Sequence, residues 1–245
     1  MKVAAVIPAR LDSTRLPNKL LRDICGKSLI VRTYESTMNS KVFDEVFIVT
    51  NSKEIVRELE KNNANYFFED KKYETGTDRI AGIASKINAD IIINVQGDEP
   101  FIKSKTFTEI IDVFKKDKNK LIPVVSVMTP IDKIERSNPN NVKVVTDINS
   151  YAIYFSRYPI PYDRDNSLPS VFKHVGIYAF RKETLLSFSM LNKGNLEAIE
   201  KIEALRLLEN EIRIKMILSR EVFIGIDTEE DLTKAIKLIG EKNSL

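Results

Sequence analysis

Apolar runs and apolar positions at helical spacing alternate through the first half of the chain. Val3–Ile7 is a short apolar run closed by Pro8, the pattern of a strand buried on both faces. From Ser28 to about Met38, the residues Leu29, Ile30, Thr33, Tyr34 and Thr37 fall on one side of a helix. Val46–Val49 predicts a second strand, Ser52–Lys61 a helix with Ser52 at its N-cap, and Asn65–Phe68 a third strand. A helix over Thr77–Lys86 follows, then Asp90–Val95, the clearest strand pattern in the sequence. Strands alternating with helices of about ten residues predict right-handed βαβ units and a mostly parallel sheet. Ligands of such sheets bind beyond the carboxyl ends of the strands, which directs attention to the loops after Ile7 and Val95.

The rhythm changes near Leu121. Pro123–Met128, Val142–Thr146 and Tyr151–Phe155 are strand-like with little helix between them, and the irregular stretch Arg157–Ser170 holds three of the nine prolines. Phe172–Phe180 predicts another strand, Glu197–Asn210 a single helix, and Glu221–Ile226 a last strand. Thr228–Ile239 closes the pattern as a helix with Thr228 at its N-cap and Asp231 at N3. With no repeat and no linker, the expectation is one α/β domain over residues 1–245, carrying a strand-rich lobe at approximately 121–200.

Composition narrows the chemistry. A hydrophobic fraction of 43% suffices for a buried core. The 38 Lys and Arg against 35 Asp and Glu leave a net charge of +3, which excludes nucleic-acid binding through bulk charge. A lone Cys25 excludes an internal disulfide or a Cys-rich zinc site, and a lone His174 excludes a multi-His metal centre. Metal chemistry is then left to carboxylates, which is Mg²⁺-type chemistry. The first apolar run is too short for a secretory leader, and no stretch approaches the roughly 20 apolar residues of a membrane span. A soluble cytoplasmic protein is expected.

The charge is unevenly placed. Residues 1–27 carry six Lys or Arg against two Asp, with Arg10, Arg15 and Lys19 in the loop directly after the first strand. Such a loop is either a solvated basic surface or a cradle whose guanidinium forks, ammonium and backbone N–H groups surround a polyphosphate. Neither a G-x-G-x-x-G nor a G-x-x-x-x-G-K-[ST] motif is present, which argues against an NAD-type oxidoreductase and against a Walker-type loop. At the second strand end, NVQGDEP has Gly97 to turn the backbone and Asp98 to project from it. Asp98 can hold Mg²⁺ beside a triphosphate or satisfy a local Asx turn. Asp227, after the last predicted strand, is its natural partner or a helix-capping residue. GTDR is either a loop in which Thr77 caps the next helix and Arg79 is an exposed helix-start residue, or a ligand-binding turn; the mild misfit of a cation with the helix dipole favours a ligand role for Arg79. Along KHVGIY, alternation puts His174, Gly176 and Tyr178 on one face; His174 is either a structural or surface residue or, with room beside Gly176, a ligand contact.

The segment PAR…STRLP.K.L resembles the N-terminal signature of the cytidylyltransferases that activate 3-deoxy-manno-octulosonate (Kdo). GTDR at Gly76–Arg79, NVQGDEP at Asn94–Pro100, NPNNVKVV at Asn138–Val145, YFSR at Tyr154–Arg157, KHVGIY at Lys173–Tyr178 and GIDTEEDL at Gly225–Leu232 extend the resemblance in the same order over nearly the whole chain. The resemblance implies a Rossmann-like, mostly parallel sheet of the nucleotide-diphospho-sugar transferase type with a mixed-strand insertion lobe. It implies transfer of CMP from CTP to the sugar's anomeric hydroxyl, with Mg²⁺ held by Asp98 and Asp227 and two ions in the ternary complex. Ala9, Arg10, Arg15, Lys19, Arg79, Gln96 and Asp98 would then lie at the nucleotide, with Arg10, Arg15, Lys19, Asp98 and Asp227 serving catalysis. Gln96, Lys143, Arg157, His174, Tyr178 and Glu203 would lie at the sugar, Arg157 pairing with its carboxylate. A homodimer is also implied.

One departure bears on the substrate. The resembling family reads Glu-Gln-Leu-Arg where this chain reads Glu203-Ala204-Leu205-Arg206, so one polar contact to the sugar is lost. The 8-amino-3,8-dideoxy relative of Kdo is therefore the alternative substrate. A transferase for a sialic-like acid or a sugar phosphate, and a non-catalytic nucleotide-binding relative, are the competing readings. The joint presence of Asp98, Asp227, Arg10, Arg15 and Lys19 argues against loss of catalysis.

Overall fold

Val3, Ala4, Ala5, Val6 and Ile7 are almost wholly buried and form an interior strand, β1 (Val3–Ala9), of the computed structural model, which describes residues 1–13, 15–165 and 171–243. The chain folds as two compact units, Met1–Lys105 with the segment from Val222 onward, and Thr106–Glu221.

In the first unit a hairpin of β2 (Asp23–Ile24) and β3 (Lys27–Ser28) turns through Cys25 and Gly26, with φ of 53° and 83°; the left-handed second position suits glycine. There follow α1 (Leu29–Asn39), β4 (Glu45–Thr50), α2 (Lys53–Lys61), β5 (Tyr66–Phe68), α3 (Gly76–Ile83) and β6 (Ile91–Asn94). The strands of this sheet are all parallel: β1 pairs with β4 on one side and β6 on the other, and β4 pairs with β5. The βαβ expectation holds here, and Ser52 caps α2 by accepting from the Ile55 N–H at 3.1 Å. Thr77 does not cap α3. Thr75 does, in a capping box with Asp78, while Thr77 is buried and accepts from Asn94 Nδ2 at 3.1 Å.

The chain enters the second unit along α4 (Ser104–Lys116), a helix absent from the expected elements. Its signal is present in Phe107, Ile110, Ile111 and Phe114, all buried at i, i+3, i+4 and i+7. Then come β7 (Val124–Ile131), α5 (Lys133–Ser137), β8 (Lys143–Thr146), β9 (Ala152–Ser156), β10 (Val171–Arg181), α6 (Lys182–Phe188), α7 (Asn195–Glu200), α8 (Ala204–Glu209) and β11 (Ile214–Leu218). Here pairing is mixed: β11 is parallel to β7, whereas β7–β10, β10–β8 and β8–β9 are antiparallel. The predicted lobe 121–200 falls inside this unit, and the predicted irregular stretch from Arg157 is described as far as residue 165, its remainder to Ser170 lying outside the described residues.

Two expectations fail. Glu197–Asn210 is not one helix, because Lys201 adopts φ 54° and breaks it into α7 and α8. The last strand is not Glu221–Ile226 but β11, whose Ile214 and Met216 face the core; Val222–Ile226 lies outside the sheet. The chain closes with α9 (Glu229–Asn243), capped by Thr228 and Asp231 as expected: Asp231 N–H donates to Thr228 Oγ1 at 3.2 Å and Thr228 N–H to Asp231 Oδ2 at 3.0 Å. Among the described residues no helix is long and apolar enough to cross a membrane.

Candidate active site

Because β1 and β6 are parallel neighbours, the loops that leave their carboxyl ends emerge at the same edge. The first is pinned by Leu16 and Leu20, 0% and 6% exposed, while Lys19 N–H closes a tight turn onto the Leu16 carbonyl at 3.1 Å. Lys19 lies in a short 3₁₀ turn (Lys19–Leu21) and is only 14% exposed. The second loop is held by Thr33 Oγ1, which donates to the Gly97 carbonyl at 2.8 Å. Gly97 does not adopt a left-handed φ; a Cβ there would lie 3.2 Å from Leu20 and 3.3 Å from Ile30, so the glycine serves close packing of the two loops. Asp227 arrives from the far end of the sequence because Ile226 N–H donates to the Asp98 carbonyl at 3.0 Å.

These constraints bring four charged side chains together. Lys19 Nζ donates to Asp98 Oδ2, and to Asp227 Oδ1 at 2.8 Å, and Arg15 Nη2 lies 3.0 Å from the same Asp227 oxygen. Burial works against the Lys19 ammonium, but the Asp98 and Asp227 carboxylates outweigh it and its pKa is raised. Both carboxylates thus converge on one cation. That arrangement fits Mg²⁺, which takes one or two protein carboxylates and completes its shell with water and phosphate oxygens. Among the described residues no cluster of three or more His, Cys, Asp or Glu forms a cage made by protein alone.

The other nucleotide-end residues lie in the same unit. Ala9 ends β1 and is buried, Arg10 follows it exposed, and Gln96, half-buried, donates to Asn94 Oδ1 at 3.3 Å. Arg79 is not an exposed helix-start residue. It is 4% exposed, donates to Asn51 Oδ1 at 3.1 Å and sits over the Tyr73 ring at 5.6 Å. Burial, then the Arg10 guanidinium, lowers its pKa. Two cations near one another, one of them buried, form a place where an anion is favoured. Asn51, after the end of β4, is not among the residues expected at the site, although its place beside the carboxyl end of a neighbouring parallel strand is a usable signal.

The residues assigned to the sugar belong to the second unit, apart from Gln96. His174, Tyr178 and Glu203 come together: the His174 and Tyr178 ring centroids are 5.1 Å apart, and burial, then the Glu203 carboxylate, raises the Tyr178 pKa. Alternation puts His174 and Tyr178 on one face as expected, and the register shift of β10 against β7 between Val175 and Tyr178 draws them closer, opposite Met128 and Ser126. Lys143 and Arg157 are turned inward. Lys143, fully buried, donates to the carbonyls of Asn138 (3.0 Å), Asn141 (2.6 Å) and Arg157, which uses its three N–H groups. Arg157 donates to the carbonyls of Glu200 (2.8 Å) and Pro139 (3.1 Å). In this structure both cations hold backbone rather than present a free charge. Arg164, exposed on the same segment, is a further guanidinium outside the expected set. So is Glu200: it accepts from Ser156 Oγ at 2.5 Å and Arg157 N–H at 2.9 Å, and nothing local in a helical glutamate signals that role.

His174 yields a pH prediction. The Ser126 hydroxyl donates to the Ile177 carbonyl at 2.7 Å, so the 2.9 Å contact to His174 is a donation from Nε2–H. Burial lowers its pKa from 6.5 to about 3. Between those values the unfolded chain binds a proton that the folded chain does not. Stability is therefore complete above the ordinary histidine value and falls by about 1.4 kcal/mol per pH unit below it. Urea unfolding at pH 7, 6 and 5 should show this slope in the wild type and lose it in His174→Phe. Equal slopes in the two proteins would show a normally titrating imidazole.

A family model described as Cytidylyltransferase matches residues 4–214. A 3-deoxy-manno-octulosonate cytidylyltransferase of Flavobacterium johnsoniae is 48% identical over 96% of this chain and 97% of its own. That of Christiangramia forsetii is 45% identical over 97% of each chain. The solved structure of CMP:2-keto-3-deoxy-manno-octonic acid synthetase complexed with CTP superposes with a TM-score of 0.92 at 34% identity, over 99% of this chain and 100% of that one.

Proposed function

The chain belongs to the 3-deoxy-manno-octulosonate cytidylyltransferase family, and from that premise we propose that it transfers CMP from CTP to the anomeric hydroxyl of Kdo, releasing pyrophosphate, for lipopolysaccharide synthesis. The observation that carries the reading is the convergence of Arg15, Lys19, Asp98 and Asp227 beyond the carboxyl ends of β1 and β6.

In the reaction the hydroxyl oxygen forms a bond to the α-phosphorus, and the bond from that phosphorus to the α–β bridging oxygen breaks. The hydroxyl proton passes to water, and the β- and γ-phosphates depart together as pyrophosphate. Positioning and charge neutralisation dominate such a transfer. Arg10, Arg15 and Lys19 surround the triphosphate and oppose the charge growing on pyrophosphate, while Arg79 anchors the nucleotide. Asp98 and Asp227 would hold Mg²⁺, which supplies Lewis acidity to the phosphate and to the attacking hydroxyl. His174, Tyr178 and Glu203 orient the sugar, and Lys143 and Arg157 shape the backbone around them. A homodimer, which the family resemblance implies, is part of the reading, and sedimentation would check it.

Pyrophosphate release from CTP, Mg²⁺ and Kdo tests the whole reading. Turnover with CTP well above that with UTP or ATP is expected; equal use of the three overturns it. One residue bears on a second sugar, the 8-amino relative: Ala204, completely buried, carries only a methyl group next to Glu203. Side-by-side kcat/KM for Kdo and its 8-amino relative decides, the 8-hydroxy acid being expected ahead.

A further inference from the structure

The reaction requires Lys19 and Arg15 to meet a triphosphate, yet in this structure both are engaged elsewhere. Lys19 donates to Asp98 and, at 2.8 Å, to Asp227, and Arg15 lies 3.0 Å from Asp227. Two carboxylates are thus matched by two cations, and the ammonium occupies the point on which both carboxylates converge. Lys19 is not a loosely placed surface lysine: it is 14% exposed and its backbone is fixed through the Leu16 carbonyl and the buried Leu20. A divalent ion approaching this neutralised pair gains little Coulombic energy, while Mg²⁺ still bears the cost of giving up water. Once the ammonium leaves, Asp98 loses its cation and only the half-exposed Arg15 stays beside Asp227, so the site turns net negative with two oxygens in reach of one ion.

We propose that Lys19 is a place-holding cation: in the nucleotide-free chain it occupies the metal position between Asp98 and Asp227, and the divalent ion is admitted only when the triphosphate draws Lys19 away. This rests on the reading of the site as one for CTP and Mg²⁺. The exchange makes metal and nucleotide binding mutually dependent, since the triphosphate that removes the ammonium from the carboxylates also raises their affinity for the ion. Linkage makes the effect reciprocal. It orders the reaction: a metal ion does not settle on the carboxylates ahead of CTP.

The test is Mn²⁺ binding to the nucleotide-free chain, read by electron paramagnetic resonance of free Mn²⁺. Lys19→Met should bind Mn²⁺ roughly 10-fold or more tightly than wild type, and Asp98→Asn added to it should abolish the gain. Lys19→Arg, which keeps the charge, should stay near wild type. Should Lys19→Met melt early, Mn²⁺ must raise its Tm more than it raises that of the wild type. Equal Mn²⁺ affinity in wild type and Lys19→Met overturns the place-holder. If that occurs while Asp98→Asn still weakens metal activation of CMP transfer, the CTP and metal reading stands and only the exchange is wrong. If Asp98→Asn and Asp227→Asn leave metal activation unchanged, both fall.

Discussion

Asp98→Asn is expected to lower CMP transfer by about 10²–10³-fold while changing CTP binding only a few-fold. The carboxylate stands at the convergence of β1 and β6, with its oxygen on Lys19 and its backbone carbonyl tied to Ile226 N–H at 3.0 Å. An amide of the same shape keeps that backbone bond, so the loop and Asp227 stay in place. What is lost is one of the two negative charges that would bring a divalent ion to the α-phosphate. A loss confined to the transition state appears in kcat rather than in KM. Pyrophosphate release across a CTP series measures both, with circular dichroism confirming the fold. Full activity in Asp98→Asn would remove the carboxylates from the mechanism.

The largest stability effect is expected at Glu197. Its carboxylate accepts from Arg206 Nε and Nη2, each at 2.8 Å, and the two side chains are 3% and 6% exposed. The guanidinium also lies over the Phe188 ring at 4.5 Å. A buried bidentate pair is worth little net, because both charges lose water, but removal of one partner strands the other. Glu197→Ala should therefore cost about 3–5 kcal/mol in urea unfolding. Glu197→Ala with Arg206→Met should recover much of it, since no uncompensated charge is left. A double variant as unstable as the single one would show that packing, not the charge, carries the effect. The pair joins α7 to α8 across the left-handed Lys201, and so positions Glu200 and Glu203. A neighbouring constraint acts with it: Glu209 accepts from the Leu196 and Glu197 N–H groups at 2.9 and 3.1 Å, and a Cβ at Gly194 would lie 2.1 Å from that carboxylate.

Elements with a one-dimensional signature are legible in the amino-acid sequence alone. β1, β4 and β6 read as apolar runs, α1 and α2 as apolar stripes, and α9 by its Thr228–Asp231 box, because burial and capping act over a few neighbouring residues. Expectation and fold part over two local choices and one distant pairing. Thr75 rather than Thr77 caps α3, Glu197–Asn210 splits at Lys201, and the last strand is β11, chosen because Ile214–Leu218 can pair in register with β7.

The candidate site divides the same way. Residue type and position after a parallel strand determined that Arg10, Arg15, Lys19 and Asp98 stand at a strand's carboxyl end, and that carboxylates rather than thiols or histidines are available for a metal. Only the tertiary structure decided that Asp227 joins Asp98 on one ammonium, that Arg79 is buried against Asn51 and Tyr73, and that Lys143 and Arg157 hold backbone carbonyls. Periodicity reports which way a side chain points from its own strand or helix. Which charge meets which depends on loops closing over long sequence separations, and no local pattern encodes that pairing.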